Sequence, residues 1–297
     1  MAEKRNYLSD EFIATLNKFS LRARLIVEGF KIGLHKSPYH GFSVEFSDHR
    51  QYNPGDPVAH IDWKVFGKTD RYYIKRYEEE TNLKSYILLD HSASMGYGKG
   101  KMNKLEYGKA LASSLAWLMM SQQDAVGLIT YSDELTSYLP PRSLRSYLDE
   151  IFKKLYNLES GNKTSTAKVL HKLAEQVRKR GLIILISDML DDIDELFSGL
   201  QHFRHQKHEV ILFHIQDPDE LDFDFKWETE FIDSETKERV TVNPWMIRRD
   251  YQQEYENYTK ELKKRCYEAG IEYNPITTST PFEKNLLDYL VKRSRLY

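Results

Sequence analysis

Apolar residues along this chain keep two rhythms, and the change from one to the other divides it. Phe12, Leu16, Phe19, Ala23, Ile26 and Phe30 recur every three or four positions, which predicts one apolar helix face. Ser37-Pro38 and Gly41 stop that helix. Residues 42–46 alternate as a strand does, residues 52–56 (Tyr-Asn-Pro-Gly-Asp) carry the chemistry of a tight turn, and residues 72–77 are extended again. A small α+β region, a helical hairpin or single helix with a few short strands, is expected over residues 1–81.

From Asn82 onward, short aliphatic runs alternate with helical stretches. Strands are expected at 86–89, 125–131, 181–187, 210–215 and 271–276, with 135–139 as the hairpin partner of the second. Leu105, Gly108, Ala112, Leu115 and Met119 mark a first helix face, opened by Asn103 with Glu106 three residues on. Leu144 to Leu158, Leu170 to Val177 and Ile193 to Phe203 give three more helices, and Tyr251, Tyr255, Tyr258, Leu262 and Cys266 line a long one. Thr280-Pro281-Phe282-Glu283 starts the last. Residues 225–242 interrupt the alternation as an inserted hairpin. The aliphatic strands are too continuous for a sheet with one wet face. They belong to an α/β domain over residues 82–297, a doubly wound, mostly parallel sheet with helices on both faces.

Composition narrows the function classes. Lys+Arg number 43 against 45 Asp+Glu, a net charge of −2, so no global basic field argues for nucleic acid. Cys266 stands alone, which excludes an intrachain disulfide and a cysteine zinc cage and fits a reducing compartment. The first ten residues lack an apolar leader, and no aliphatic run approaches the roughly 20 residues that span a bilayer. A cytoplasmic protein without a membrane span is expected.

In open doubly wound sheets, ligands bind outside the carboxyl ends of the strands. Two expected strands end there in aspartate, Asp90 and Asp188. In Asp90-His91-Ser92-Ala93-Ser94 the oxygen-bearing residues alternate, so in an extended loop Asp90, Ser92 and Ser94 point the same way. The loop Gly161-Asn162-Lys163-Thr164-Ser165-Thr166 offers a further hydroxyl. Carboxylates and hydroxyls without His or Cys suit Mg²⁺ or Mn²⁺. A low carboxylate count leaves such an ion electrophilic and open to an acid from a partner. The competing reading is local: Ser92 and Ser94 as helix caps, Thr164 or Thr166 capping the next helix, and the aspartates as turn residues.

Asp90-x-Ser92-x-Ser94, Thr164 and Asp188 resemble the metal-ion-dependent adhesion site (MIDAS) of von Willebrand factor A domains, in the order and context of that family. The resemblance implies that these five residues hold the ion. Residues 50–56 (Arg-Gln-Tyr-Asn-Pro-Gly-Asp), Ile61-Asp62-Trp63 and residues 76–80 (Arg-Tyr-Glu-Glu-Glu) resemble the signature of the bacterial family called domain of unknown function 58, DUF58, which carries a von Willebrand A-like domain. His60 stands where that family commonly has Arg. The family often accompanies MoxR-type AAA+ ATPases, which implies such an ATPase or its substrate as partner, in assembly or chaperone-like work. Without the resemblance, Arg50, Asp56 and Asp62 read as an ion-pair network over a packed Trp63.

Other signals are weaker. His202, His205 and His208 read as exposed helix-end residues more readily than as Zn²⁺ ligands. The glycines at 96, 98 and 100 lack phosphate-loop spacing, and no serine sits in a nucleophile elbow. A hydrolase would need a general base over the metal, and His91, the one candidate, alternates away from Asp90. Three readings stand: a non-enzymatic, metal-dependent protein-binding module; a metal-independent scaffold; and, least supported, a metal-dependent hydrolase.

Overall fold

The computed structural model describes residues 44–53, 61–79, 84–98, 102–121, 123–144, 146–161, 166–177, 180–234 and 236–296. The expected N-terminal helix face from Phe12 to Phe30, the 54–56 half of the expected turn, His60 and Thr164 lie outside them.

The small region is a two-stranded antiparallel sheet, β1 (Val44–Gln51) against β2 (Tyr73–Glu79), with helix α1 (Trp63–Thr69) between them. Asp62 is the N-cap of α1. Its carboxylate accepts from the Lys64 amide at 2.9 Å and the Val65 amide at 3.3 Å, which satisfies donors that a helix start otherwise leaves open. Trp63 is not packed beneath a charge network as expected. It is 58% exposed, edge-on to Phe66, on a helix that has no buried residue among the described ones.

The main sheet has six strands in the order β10-β7-β6-β3-β4-β5, all parallel except the edge strand β5. In chain order it runs β3 (Lys84–Asp90), α2 (Lys104–Ser121), β4 (Ala125–Tyr131), β5 (Leu135–Arg142), α3 (Tyr147–Tyr156), α4 (Thr166–Gln176), β6 (Leu182–Ser187), α5 (Ile193–His205) and β7 (Glu209–Gln216). Then follow α6 (Pro218–Asp222), a separate hairpin β8 (Thr229–Ile232) and β9 (Arg239–Val242), α7 (Pro244–Glu268), β10 (Glu272–Thr277) and α8 (Phe282–Leu296). This is the α/β, doubly wound arrangement expected from the strand pattern.

Strand periodicity explains the two-sided core. Ile87 and Leu89 of β3, with Ile184 and Ile186 of β6, face a layer built from α2, α3 and α8. Tyr86 and Leu88, with Ile183 and Leu185, face α4, α5 and α7. Alternate residues point to opposite faces, and both faces are covered, so every residue of β6 is buried. Each fully buried Leu or Ile contributes roughly 1.5–3 kcal/mol.

Strand β6 lies against β3 at its start because Gly181 has no side chain. A Cβ there would sit 2.2 Å from the Lys84 carbonyl oxygen, a backbone atom that cannot step aside. Gly181→Ala should therefore lower stability by about 1–3 kcal/mol, the usual cost of overpacking. A urea midpoint equal to the parent's would refute this tight approach. His208 supports the same corner and differs from expectation: it is buried, not exposed. Its Nδ1 accepts from the Gly181 amide at 3.1 Å, so its Nε2 carries the proton and donates to the Val177 carbonyl at 3.0 Å. With both nitrogens used, it is no metal ligand.

Candidate metal centre

The chain crosses from one half of the sheet to the other between β3 and β6. After β3 it builds β4 and β5 on one side, then returns through α3 and α4 to place β6 on the other. The crevice of such a sheet opens at this point, and both sequence-predicted aspartates are there. Asp90 ends β3 and is wholly buried; Asp188 follows β6 and is 2% exposed.

Asp90 organises the loop that follows it. Its Oδ1 accepts from the Ser92 amide at 2.8 Å, and its Oδ2 accepts from the Ser187 hydroxyl at 2.7 Å. The Ser92 and Ser94 hydroxyls lie 3.0 Å apart. Met95 is fully buried in the core and pins the loop from below. Ser92 is not the cap of a helix: Ala93 occupies the N-cap of the short 3-10 turn at Ser94–Gly96, without a side-chain capping bond. Burial, then the nearby Asp188, pushes the Asp90 carboxyl up to about 7. The fold thus holds two carboxylates close together where neither is hydrated.

Thr164, the fifth predicted ligand, is outside the described residues, so Asp90, Ser92, Ser94 and Asp188 are the members whose placement is given. The first residue of α4 is tied to the segment after Asp188, since the Thr166 amide donates to Asp191 Oδ2 at 3.1 Å. Tyr258 on α7 clamps that segment by donating to the carbonyls of Met189 and Asp191. Met189 itself sits at φ 55, a left-handed conformation rare for a non-glycine residue.

The sequence pattern holds no signal for Lys104, the first residue of α2. It is fully buried, with its ammonium 2.7 Å from Asp188 Oδ2 and 2.5 Å from Glu220 Oε1. Burial alone would lower its pKa, but Asp188 and Glu220 together hold the ammonium above the usual lysine value. At Glu220 burial outweighs Lys104 and raises the carboxyl. Nothing in spacing links positions 104, 188 and 220; only the fold joins them. Asn103 is legible as a helix start, and its Oδ1 accepts from the Glu106 amide at 2.8 Å as expected.

His91 does not face this cluster. Its Nδ1 lies 2.9 Å from the Glu159 carbonyl and its Nε2 2.7 Å from the Thr136 hydroxyl. A carbonyl only accepts, so Nδ1 carries the proton and Nε2 accepts from Thr136. Burial lowers the His91 pKa, consistent with a neutral structural ring.

A divalent cation fits this donor set on its chemistry. Asp188 and Glu220 share the Lys104 ammonium, and the Asp90 carboxyl is close enough to Asp188 to be raised by it. The Tyr131 and Thr166 hydroxyls are also buried here without a hydrogen bond of good geometry. Among the described residues no three His, Cys, Asp or Glu are grouped for a metal, so an ion at this place would draw on Ser92 and Ser94. Oxygen-only donors of this kind suit Mg²⁺ or Mn²⁺.

Sheet order and crossover define an α/β protein with a mostly parallel six-stranded sheet, an arrangement consistent with the von Willebrand A-like fold. Residues 48–261 match the family model described as Protein of unknown function DUF58, and the chain belongs to that family. It is similar to uncharacterized proteins of Mycobacterium bovis and Mycobacterium tuberculosis, 23% identical over 212 residues, covering 70% of this chain and 66% of each relative. The chain thus spans just under two thirds of those relatives' length. Among solved structures it is similar to the conserved hypothetical protein BatB from Bacteroides thetaiotaomicron (14% identity, TM-score 0.46). An aerotolerance-related membrane protein from Bacteroides fragilis is also similar (16% identity, TM-score 0.49). Each alignment covers 72% of this chain and 100% of the other. No helix among the described residues is long and apolar enough to cross a membrane.

Proposed function

We propose that this protein is a non-enzymatic, divalent-metal-dependent protein-binding module. Asp90, Ser92, Ser94, Thr164 and Asp188 hold Mg²⁺ or Mn²⁺, and an acidic residue of the partner completes the coordination shell. The observation that carries this reading is the pair of buried aspartates at the crossover, close enough for Asp188 to raise the Asp90 carboxyl, while the Lys104 ammonium is shared between Asp188 and Glu220. An uncompensated buried charge is costly, and a divalent ion removes the cost while presenting an open position. No step of chemistry is assigned, because His91 is turned away and fully engaged. The family resemblance points to a MoxR-type AAA+ ATPase, or its substrate, as the partner, in a cytoplasmic setting.

The test is capture of partners from the native cell by the full chain, with and without EDTA, beside the Asp90→Ala variant. Both treatments should abolish capture of the same protein, an ATPase being the expected one, and calorimetry should show Mg²⁺ heat for the parent only. Capture that survives both treatments sinks the proposal. The second reading, a scaffold that never uses metal, is favoured by Lys104, which already supplies a cation to Asp188. Absence of heat at millimolar Mg²⁺, with or without partner, would select it.

A further inference from the structure

The metal reading leaves Lys104 without a role, yet its surroundings are specific. It is a lysine with no exposed surface, and its long stem delivers the ammonium to one oxygen of Asp188. Its other partner is held in place: Glu220 Oε2 accepts from the Asp217 amide at 3.0 Å, while Asp217 Oδ1 accepts from the Asp219 amide at 3.0 Å. That reciprocal capping box fixes Glu220 at the start of α6. Lys104 cannot swing away without leaving two carboxylates unpaired. It is a stationary positive charge beside a proposed ligand.

Resting on the metal reading above, we infer that Lys104 sets the metal affinity of the site. It opposes the ion and favours the partner's acid. A fixed ammonium hydrogen-bonded to Asp188 repels a divalent cation bound to the same carboxylate, and in a dry cluster this repulsion is weakly screened. The ion alone is therefore bound loosely. Once the ion is in, Lys104 adds its positive charge to the ion's, and an incoming carboxylate meets less like-charge repulsion. Without Lys104 the site would hold the ion more tightly and keep one more negative charge, which would disfavour the partner's acid. Lys104 thus weakens filling of the site by the ion alone and leaves the loaded site receptive to a partner. Glu220, which shares the ammonium, is the second determinant.

Mn²⁺ alone, titrated into the full chain by calorimetry, tests this, with circular dichroism to confirm folding. Lys104→Met should bind Mn²⁺ at least about tenfold more tightly than the parent, since a like charge held on the same carboxylate is removed. Glu220→Gln, which keeps Lys104 but leaves it wholly to Asp188, should bind more weakly. Asp90→Ala placed on Lys104→Met should abolish the gain. Unchanged or weaker binding by a folded Lys104→Met overturns the inference while leaving the metal reading intact. Should Lys104→Met fail to fold, Glu220→Gln decides: unchanged or tighter binding overturns it. Binding by Lys104→Met when the parent shows none supports it. Binding by neither at millimolar Mn²⁺ overturns the metal reading and the inference with it.

Discussion

Lys104→Met should cost the protein about 3–5 kcal/mol in the presence of EDTA, the usual cost of breaking a buried ion pair by removing one partner. What decides the size is the charge left behind. Methionine fills much of the space of the lysine stem, so packing around the start of α2 is nearly preserved. The loss is the ammonium, 2.7 Å from Asp188 and 2.5 Å from Glu220. Both carboxylates then sit with Asp90 in a cluster that no cation enters. Urea unfolding gives the magnitude. The double variant Lys104→Met/Glu220→Gln should recover part of the loss, because one stranded charge is gone. The pair should couple by about 0.5 kcal/mol or more, as residues sharing one network do. A single-variant loss below about 1 kcal/mol would mean that the triad behaves as an exposed pair does, and its burial would carry no energetic weight.

The fold is legible in the sequence because hydrophobic periodicity dominates it. The runs at 86–89, 125–131 and 181–187 match β3, β4 and β6, and the expected helix faces match α2, α3, α4 and α5. Those runs are buried on both sides of one sheet, so each position votes for the same answer. The small region is harder. Ile61-Asp62-Trp63 suggests a packed tryptophan, yet α1 is a short helix with no buried residue, and Trp63 is mostly exposed among the described residues. At the candidate site, Asp90 and Asp188 are legible because strand ends and turn residues leave a local signature. Lys104 and Glu220 are not, because an ion pair across 116 residues is a product of packing alone. Ser187 has a signal that spacing could use. It precedes Asp188 at the end of an aliphatic run, and its hydroxyl bridges the Asp90 carboxylate and the Met189 amide. His208 reads as exposed because its place beyond α5 hides that the chain turns it back under Gly181.

Asp90→Asn should stabilise the chelated protein at pH 8, and the gain should vanish in acid. In the folded state burial, with Asp188 beside it, pushes the Asp90 carboxyl from its ordinary 3.8 to about 7. A raised carboxyl binds its proton more tightly when folded than when unfolded. Its contribution to stability is therefore unaffected below about pH 4, falls as pH rises toward 7, and is fully lost above that. A tenfold difference in proton affinity is worth about 1.36 kcal/mol, so the cost at pH 8 reaches about 4 kcal/mol as an upper value. Asparagine removes the charge but keeps the acceptor: its Oδ1 can still take the Ser92 amide, and its amide nitrogen can donate to the Ser187 hydroxyl. Urea melts of parent and variant in EDTA, at a series of pH values, measure the difference directly. His214, which burial lowers to about 4, titrates in the same window, but it does so in both proteins and largely cancels in the comparison. Mg²⁺ separates the two readings of the site. If the ion belongs at Asp90, adding it at pH 8 should raise the parent's melting temperature and leave Asp90→Asn unmoved, so the order of stability narrows or reverses. A parent that gains nothing from Mg²⁺, while the variant stays more stable across pH 6–8, would make Asp90 a strained structural acid and not a ligand.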